Sequence, residues 1–463
     1  MIPCLIKHIL AMMRIISGTA KLLLLVMCFV CCRAALFAQC TRQERVYADA
    51  QTGSGNVTGG PLAVDGDPLT ASTLSAALLA GGASQFLTFS QTIAQGTPVI
   101  VKLTPPSGTL NALSSMTLQA YTLNRTTGVR TNVGTPLTSS TLLGLLTSSG
   151  AMEVSFNPGA LVAYDGVAIT LGGLTITTVR MTVYHAYVMR TATTDVACNQ
   201  VVDYLSGVKA TGIDLATSLS KVFNEQLAAD NDPTFTTFAN MQADAGLLNP
   251  LYETVIFKTP SLAGDSLRIV LKDPAVPLLS LTALGGFSIQ PYLGQTAAGS
   301  AITNTSPLLN LQLLGGGADQ QYVLTVPVAA SFDRVEISLT GLASVLRRLY
   351  IYDVARIAKA PAFNFTVSGE PGSSPVCITR VSNMLYTITG GESCATYRWY
   401  NAAGATLLAS GPSFTPPITT AGTYTYQVAA QRTGCTNIET KKQLSVTVSA
   451  LPGPPVLTIQ NNP

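Results

Sequence analysis

The strongest constraint on this chain is an internal repeat, because two widely separated segments match residue by residue. The segment LAVDGDP at 62–68 returns as LAADNDP at 227–233. Further on, AYDGVAITLGGL at 163–174 returns as SFDRVEISLTGL at 331–342, at a slightly longer spacing. This match predicts two copies of one domain, so a chemistry proposed for one copy should be found in the other.

The length of 463 residues fits about three domains at roughly 100 to 200 residues each. We predict a leader at 1–38, a first copy at 40–193, a second copy at 198–359, a third unit at 361–450 and a linker at 451–463. The linker sequence, LPGPPVLTIQNNP, is typical of a connection between domains. Further domains are therefore expected beyond Pro463.

The leader has the pattern of a secretory signal peptide. A basic stretch ends at Lys21, an apolar core follows at 22–32, and small residues favour cleavage after Ala38. The apolar core has 11 residues, whereas a membrane-spanning helix needs about 20. We predict a secreted or bacterial cell-surface protein with no membrane span in its mature chain; the alternative is a leader retained as a membrane anchor.

The charge balance excludes nucleic acid as the expected partner. The formal charge is +3, but four of the 26 basic residues and none of the 23 acidic residues lie in the leader. The mature chain therefore has 22 basic and 23 acidic residues, a net charge of about −1. No basic stripe is left to neutralise phosphates.

The pattern of apolar residues predicts an all-β protein. In FDRVEISL at 332–339, apolar Val335, Ile337 and Leu339 alternate with polar residues, which predicts one apolar and one polar strand face. Only 11% of the residues are charged, and many short strands are separated by Gly, Pro, Asn and Asp. This combination favours two-sheet β-sandwiches in both copies.

The third unit has the residue order of an immunoglobulin-like β-sandwich. Trp399 lies in the segment TYRWYN, and the segment GTYTYQV at 422–428 precedes Cys435. In such a sandwich the Trp packs between the sheets and the late Tyr caps a corner. Both features are expected here.

The cysteines fit an exported protein. Five remain after the leader: Cys40, Cys198, Cys377, Cys394 and Cys435. A Cys40–Cys198 disulfide would close the whole first copy into one long loop, which the chain-entropy model credits with roughly 5 kcal/mol. In the third unit, Cys435 could pair with Cys394 or with Cys377. Free buried thiols are the alternative, and no spacing typical of a zinc site occurs.

Short motifs also resemble known families. LAVDGDPLTASTL, QFLTF at 85–89 and RRLYIYDV at 347–354 resemble the discoidin-like, galactose-binding-like jelly rolls. The third unit resembles immunoglobulin-like modules of secreted adhesins of gliding-type Gram-negative bacteria. The resemblance implies tandem jelly rolls and a calcium-binding role for the Asp turn. Discoidin-like domains usually place a Trp after the Thr of this motif, whereas the first copy has Ala71 and Ser72.

The two Asp turns are the strongest candidates for chemistry. Asp65 and Asp67 in the first copy, and Asp230 and Asp232 in the second, could each direct carboxylate oxygens at one Ca²⁺ ion, which takes six to eight oxygen ligands. Backbone carbonyls and water would have to complete the shell. The alternative is a turn in which Asp side chains bond to their own backbone and Pro fixes the bend.

The residues of candidate enzyme motifs are not shared by the two copies, and we predict no enzymatic activity. The segment GDSL at 264–267 resembles the nucleophile block of a serine hydrolase family, but no histidine follows Ser266 to accept its proton. The equivalent segment of the first copy, GTPV, lacks the serine. His185, the one histidine of the mature chain, is replaced by Asp353 in the second copy.

Two functions agree with these observations. The first is a secreted adhesin that binds glycan or extracellular matrix through its paired jelly rolls, two weak sites gaining from their effective concentration. The second is a structural spacer in a longer surface fibre whose ligand site lies elsewhere. Exposed aromatic residues shared beside both Asp turns would favour the first function.

Overall fold

The structure is a computed structural model. It describes residues 43–53, 55–77, 79, 81–105, 116–138, 148–172, 178–192, 199–209, 220–243, 249–275, 285–307, 309–314, 320–340, 348–391, 395–432 and 441–451. Both copies of the repeat lie in one compact unit, Thr41–Ala358, and the chain from Lys359 onward belongs to a second unit. The predicted leader lies outside the described residues, as does the predicted linker apart from Leu451.

The described part of the first copy forms two antiparallel sheets. Its strands are β1 (Gln43–Tyr47), β2 (Ala50–Gly53), β3 (Val57–Thr58), β4 (Ser72–Ala76), β5 (Ala83–Ile93), β6 (Val99–Thr104), β7 (Met116–Leu123), β8 (Arg130–Thr138), β9 (Met152–Phe156), β10 (Tyr164–Leu171) and β11 (Val179–Thr191). One sheet has the order β3-β4-β11-β6-β9, with β1 paired to the far end of β11, and the other has the order β2-β5-β10-β7-β8. A short 3₁₀ helix, Gly60–Ala63, leads into the Asp turn.

The second copy repeats this arrangement. Its strands are β12 (Val201–Val208), β13 (Lys221–Phe223), β14 (Ala239–Gln242), β15 (Leu251–Phe257), β16 (Ser266–Lys272), β17 (Phe287–Leu293), β18 (Thr296–Ala297), β19 (Ile302–Thr303), β20 (Asn310–Leu314), β21 (Gln321–Pro327), β22 (Arg334–Leu339) and β23 (Arg348–Ile357). The sheets have the orders β13-β14-β23-β16-β21-β20 and β12-β15-β22-β17-β18, with β19 also paired to β17. A 3₁₀ helix, Glu225–Ala229, again precedes the Asp turn.

Equivalent residues form the two cores. In the first copy Phe89 packs edge-on against Tyr164, with ring centroids 6.4 Å apart. In the second copy the equivalent residues, Phe257 and Phe332, pack in the same way at 6.5 Å. All four rings are buried between the sheets of their own copy. The predicted pair of β-sandwiches is thus confirmed.

The polar face predicted for β22 does not face water. Arg334, Glu336 and Ser338 are all buried, at 6 to 8% exposure. The neighbouring strand β15 is buried along its whole length as well. Alternation distinguishes the polar from the apolar face of a strand, but a polar face can also be covered by a neighbouring domain. Here the covering domain is the first copy.

The second unit contains a sandwich of the predicted immunoglobulin-like kind. Its strands are β24 (Ala362–Val367), β25 (Glu370–Pro371), β26 (Val376–Cys377), β27 (Met384–Thr389), β28 (Ala395–Asn401), β29 (Leu407–Ser410), β30 (Ser413–Phe414), β31 (Gly422–Arg432) and β32 (Lys442–Ser449), with a 3₁₀ helix at Ile378–Asn383. The sheets are β25-β24-β27-β30 and β26-β32-β31-β28-β29. Trp399 is fully buried and stacks on Phe414 at 5.2 Å. The Tyr424 hydroxyl donates to the Thr420 carbonyl at 2.9 Å, which is the expected capped corner.

Cys377 is the one candidate disulfide residue within the described part of the chain. Its thiol is free and lies 3.3 Å from the Thr379 hydroxyl, so this structure does not contain a Cys377–Cys435 bridge. Cys40, Cys198, Cys394 and Cys435 lie outside the described residues, and their pairing stays a prediction. Among the described residues, no helix has the length and apolar character needed to cross a membrane.

Candidate functional site

The first Asp turn is held by its own backbone and by one threonine. The amide of Asp67 donates to Asp65 Oδ1 at 3.0 Å, and the amide of Leu69 donates to Asp67 Oδ1 at 2.9 Å. The hydroxyl of Thr70 donates to Asp65 Oδ2 at 2.8 Å. Gly66 takes a φ of 85°, a left-handed conformation that glycine adopts without steric cost. These bonds fix the conformation of the turn.

The second Asp turn uses the same bonds with different residues. The amide of Asp232 donates to Asp230 Oδ1 at 3.0 Å, and the hydroxyl of Thr237 donates to Asp230 Oδ2 at 2.5 Å. Asn231 takes a φ of 61° where the first copy has glycine. Asn tolerates this conformation better than most residues, which explains why the two turns read DGDP and DNDP.

A two-residue insertion in the second turn accounts for two of the three residues by which the spacing of the repeat lengthens along the chain. Thr70 follows Asp65, to which it bonds, by five residues, whereas Thr237 follows Asp230 by seven. The following strand keeps the longer spacing, because Leu74 of β4 and Met241 of β14 are equivalent and both fully buried. The two extra residues are therefore accommodated within the second turn, and the buried positions of the following strand are kept.

The extra residues of the second turn donate additional hydrogen bonds to Asp232. The Thr234 hydroxyl donates at 2.5 Å and the Thr236 amide at 2.7 Å, and these bonds hold the pKa of Asp232 below its ordinary value. No group of three or more His, Cys, Asp or Glu side chains converges on one point within the described residues. Calcium binding at Asp65, Asp67, Asp230 and Asp232 stays a prediction.

A row of ionisable residues crosses three neighbouring strands of the first copy. His185 on β11 is paired in register with Lys102 on β6, and Lys102 with Glu153 on β9. All three side chains are buried on the outer face of the sheet, where the second copy covers them. The equivalent positions of the second copy, in the same register, are Asp353, Val270 and Val323.

Asp203 of the second copy bonds to this row. Its Oδ1 lies 2.5 Å from Lys102 Nζ, and its Oδ2 lies 3.2 Å from His185 Nε2. Burial alone would raise the pKa of Asp203, but Lys102 and His185 outweigh it and lower that pKa to about 2. Lys102 also donates to the carbonyl of Pro68 at 2.7 Å. The first Asp turn is thereby tied to the contact between the copies.

Glu153 makes the second charged link between the copies. Arg334 of the second copy donates to its Oε2, and the Tyr187 hydroxyl donates to its Oε1 at 2.7 Å. Burial opposes ionisation of Glu153, yet the charges of Arg334 and Arg45 hold its pKa below the ordinary value. Buried pairs of this kind fix the geometry of a contact even where their net contribution to stability is small.

Uncharged contacts complete the junction. The Tyr252 hydroxyl donates to Ser148 Oγ at 2.6 Å. Gly150 lies so close to the carbonyl of Ser206 that an added Cβ would be 1.8 Å from that oxygen, so only glycine fits there. The two copies therefore pack against each other along a specific surface.

A cleft of about 610 Å³ opens between the copies beside the first Asp turn. Its wall in the first copy includes Tyr47, Tyr184 and the turn itself. Its wall in the second copy includes Tyr204 and Lys258. This volume lies within the range of small-molecule sites, about 300 to 1,000 Å³, and phenol rings beside carboxylates suit a ligand with both apolar faces and hydroxyls.

A second, smaller cavity of about 450 Å³ lies along the same junction. Its charged groups are already paired within the protein. Lys209 Nζ lies 2.6 Å from Glu336 Oε1, and Arg334 bonds to Glu153. This pairing makes it a weaker candidate than the cleft.

Aromatic residues also lie near the second Asp turn. Phe238 stacks on Tyr350 with ring centroids 4.1 Å apart and neither ring is fully buried. Phe235, within the turn, lies under the guanidinium of Arg268 at 5.2 Å. Aromatic side chains therefore lie at both Asp turns, although the residues involved are not equivalent.

The residues of the GDSL segment and His185 have defined positions in the fold. Gly264 takes a φ of 91° in a tight turn, and Ser266 begins β16 between Pro327 and Ile357. His185 is buried and paired with Asp203. These placements give both motifs a role in the fold.

Sequence reasoning missed the residues that join the copies. Lys102, Glu153 and Asp203 are single charged residues inside otherwise apolar strands, in the segments VIVKLT, MEVSF and VVDYLSGV. A lone charge in such a strand is rarely buried without a partner, so each one indicated a partner elsewhere in the chain. The sequence did not show which partner it was.

The described residues thus form two tandem jelly-roll sandwiches and an immunoglobulin-like sandwich. Residues 366–450 match the family described as "Ig-like domain CHU_C associated". No curated protein matches the chain in sequence.

Solved structures share low similarity with the chain. A fucolectin from Morone saxatilis (striped bass) serum has 12% identity and a TM-score of 0.22, covering 67% of this chain and 97% of its own. The CBM32-1 and CBM32-2 domains of Clostridium perfringens ZmpB have 11% identity and a TM-score of 0.21, covering 67% and 92%. The adhesin domain of Epf from Streptococcus pyogenes has 10% identity and a TM-score of 0.20, covering 55% and 90%.

Proposed function

We propose that the chain is a non-enzymatic, secreted cell-surface protein that binds saccharide through its two jelly-roll copies. The observation that carries the proposal is the cleft beside the first Asp turn, which is lined by Tyr47, Tyr184 and Tyr204 together with the carboxylates of that turn. Phenol rings cover the apolar face of a sugar, and carboxylates accept hydrogen bonds from its hydroxyls.

The second copy supports the same proposal with a weaker site. The stacked pair Phe238 and Tyr350 lies close to the second Asp turn. Burial, reinforced by the charge of Asp230, raises the pKa of Asp353 to about 6, although Arg268 opposes the shift. Two weak sites on one rigid unit bind a polymeric ligand more tightly than either site alone.

A glycan and matrix array with the full secreted chain tests this function. We expect binding to saccharides, reduced by Tyr184→Ala and reduced further when Tyr350→Ala is added. The matched control is Leu161→Ala, because Leu161 is 83% exposed and lines neither described cavity. An array with no saccharide binding would refute the proposal.

A structural spacer is the second candidate, and the junction between the copies favours it. Buried ion pairs at Asp203 and Glu153 hold the copies in one arrangement, as a stiff spacer requires. Small-angle scattering that shows one fixed arrangement, together with an array without ligands, would favour this function.

A further inference from the structure

The lining of the cleft includes a buried guanidinium whose nitrogens make no hydrogen bond of good geometry within the described residues, although the Tyr47 hydroxyl lies near it. Arg45 lines the cleft and is only 9% exposed, and none of its three nitrogens is hydrogen-bonded within the described part of the chain. The nearest described carboxylate oxygen, Glu153 Oε1, is 3.6 Å from Nη1. The guanidinium lies over the ring of Tyr187 at 4.4 Å, which stabilises its charge without supplying an acceptor.

The neighbouring carboxylates are already engaged. Both oxygens of Glu153 accept bonds, from Arg334 and from Tyr187. Both oxygens of Asp203 face Lys102 and His185. A buried guanidinium with free donors is costly to maintain, and an acceptor that enters from the cleft would remove that cost.

The other residues that line the cleft include both a cation and hydrogen-bond acceptors. Lys258 of the second copy lines the cleft together with Arg45, and no ion pair to Lys258 occurs within the described residues. Asp49 lines the same cleft and is exposed, next to the turn that contains Asp65 and Asp67. A ligand that pairs with both kinds of group has a negative group and several hydroxyls on one small scaffold.

We infer that the cleft between the copies binds an acidic saccharide, with its carboxylate or sulfate group at Arg45 and Lys258 and its hydroxyls at the Asp turn. This inference rests on the proposed function and names the ligand class for the first copy. A neutral sugar leaves the donors of Arg45 unpaired, so it binds more weakly. The site also requires both copies, since Arg45 and Lys258 belong to different ones.

Calorimetric titration of the full secreted chain with paired probes tests this inference. The probes are trigalacturonic acid beside its methyl ester, and sialyllactose beside lactose. We expect at least one acidic probe to bind about tenfold more tightly than its neutral counterpart and to weaken as sodium chloride rises.

Substitutions of two cleft residues test whether the preference for the acidic probe arises in the cleft. Arg45→Met and Lys258→Met should each remove the preference for the acidic probe, whereas Arg190→Met should keep it, because Arg190 is half exposed and paired with Glu44 outside the cleft. Lys258→Met is decisive if Arg45→Met does not fold, since Lys258 makes no buried ion pair within the described residues.

The outcomes separate the two proposals. Equal binding of acidic and neutral probes, or an acidic preference that survives both cleft variants, would overturn the inference and leave the saccharide-binding function standing. Absence of binding to every probe and to every saccharide of the array would overturn both.

Discussion

Glu253 lies in the core of the second copy without a hydrogen-bond partner. It is fully buried on β15, and neither carboxylate oxygen is bonded within the described residues. The equivalent residue of the first copy is Gln85, which accepts a bond from Ser72 Oγ at 2.6 Å and donates to the Gly60 carbonyl at 3.1 Å. The second copy has Ala239 in the place of Ser72. The substitution Glu253→Gln should therefore stabilise the second copy.

The size of this effect depends on pH. Burial, with a smaller contribution from the charge of Glu225, raises the pKa of Glu253 well above 4.5. Above pH 4.5 the unfolded state loses this proton while the folded state keeps it, so the free energy of unfolding falls by about 1.4 kcal/mol per pH unit up to the raised pKa. Below pH 4.5 both states are protonated and the effect disappears. Within this window, each pH unit should therefore widen the Tm difference between wild type and Glu253→Gln by roughly 3 to 6 °C.

Thermal unfolding of wild type and Glu253→Gln between pH 5 and pH 8 measures this difference. We expect the two Tm curves to diverge as pH rises, with the variant more stable. Adding Ala239→Ser should restore the bond of the first copy and contribute about 1 kcal/mol more. The matched control is Gln85→Glu, which should introduce the same pH dependence into the first copy. Parallel Tm curves for wild type and Glu253→Gln would refute the reasoning.

Three further predictions concern the junction, the turns and the second unit. Lys102→Met leaves Asp203 buried without its main partner and should lower the free energy of unfolding by about 3 to 5 kcal/mol in denaturant titrations, against about 1 kcal/mol or less for the surface change Arg190→Met. Calcium binding at the Asp turns requires that millimolar calcium raise the Tm and that EDTA reverse the rise; an unchanged Tm would leave hydrogen bonding as the role of the turns. Tyr424→Phe removes the bond to the Thr420 carbonyl and should cost about 1 kcal/mol, and an unaltered unfolding curve would contradict the capped corner.

The fold could be predicted from the sequence wherever a residue type fixes local geometry. Gly66 and Asn231 mark the same left-handed turn in the two copies, and Trp399 with Tyr424 defines the immunoglobulin-like sandwich. These features depend on backbone conformation or on the core of one domain. A single sequence carries both kinds of information.

The junction could not be predicted in the same way. The polar residues of β22 were predicted to share one strand face, but alternation does not show whether water or a polar neighbouring surface covers that face. Arg334 instead bonds to Glu153, which belongs to the other copy and lies far earlier in the chain. The cleft forms only where the two copies pack against each other. The segments around Arg45 and Lys258 therefore do not mark either residue as part of a site. A candidate site formed by two domains becomes visible only when both are placed.

The divergence between the copies bears on the spacer hypothesis. A uniform array would repeat the residues that join one copy to the next. The first copy joins the second through His185, Lys102 and Glu153, and the equivalent positions of the second copy are Asp353, Val270 and Val323. Asp353 is instead paired with Arg268 of its own copy at 2.7 Å. The second copy therefore lacks the Lys and the Glu with which the first copy binds its successor, and the same junction cannot propagate along a chain of such domains. The two copies form a specialised pair, and the product of that pairing is the cleft beside the first Asp turn.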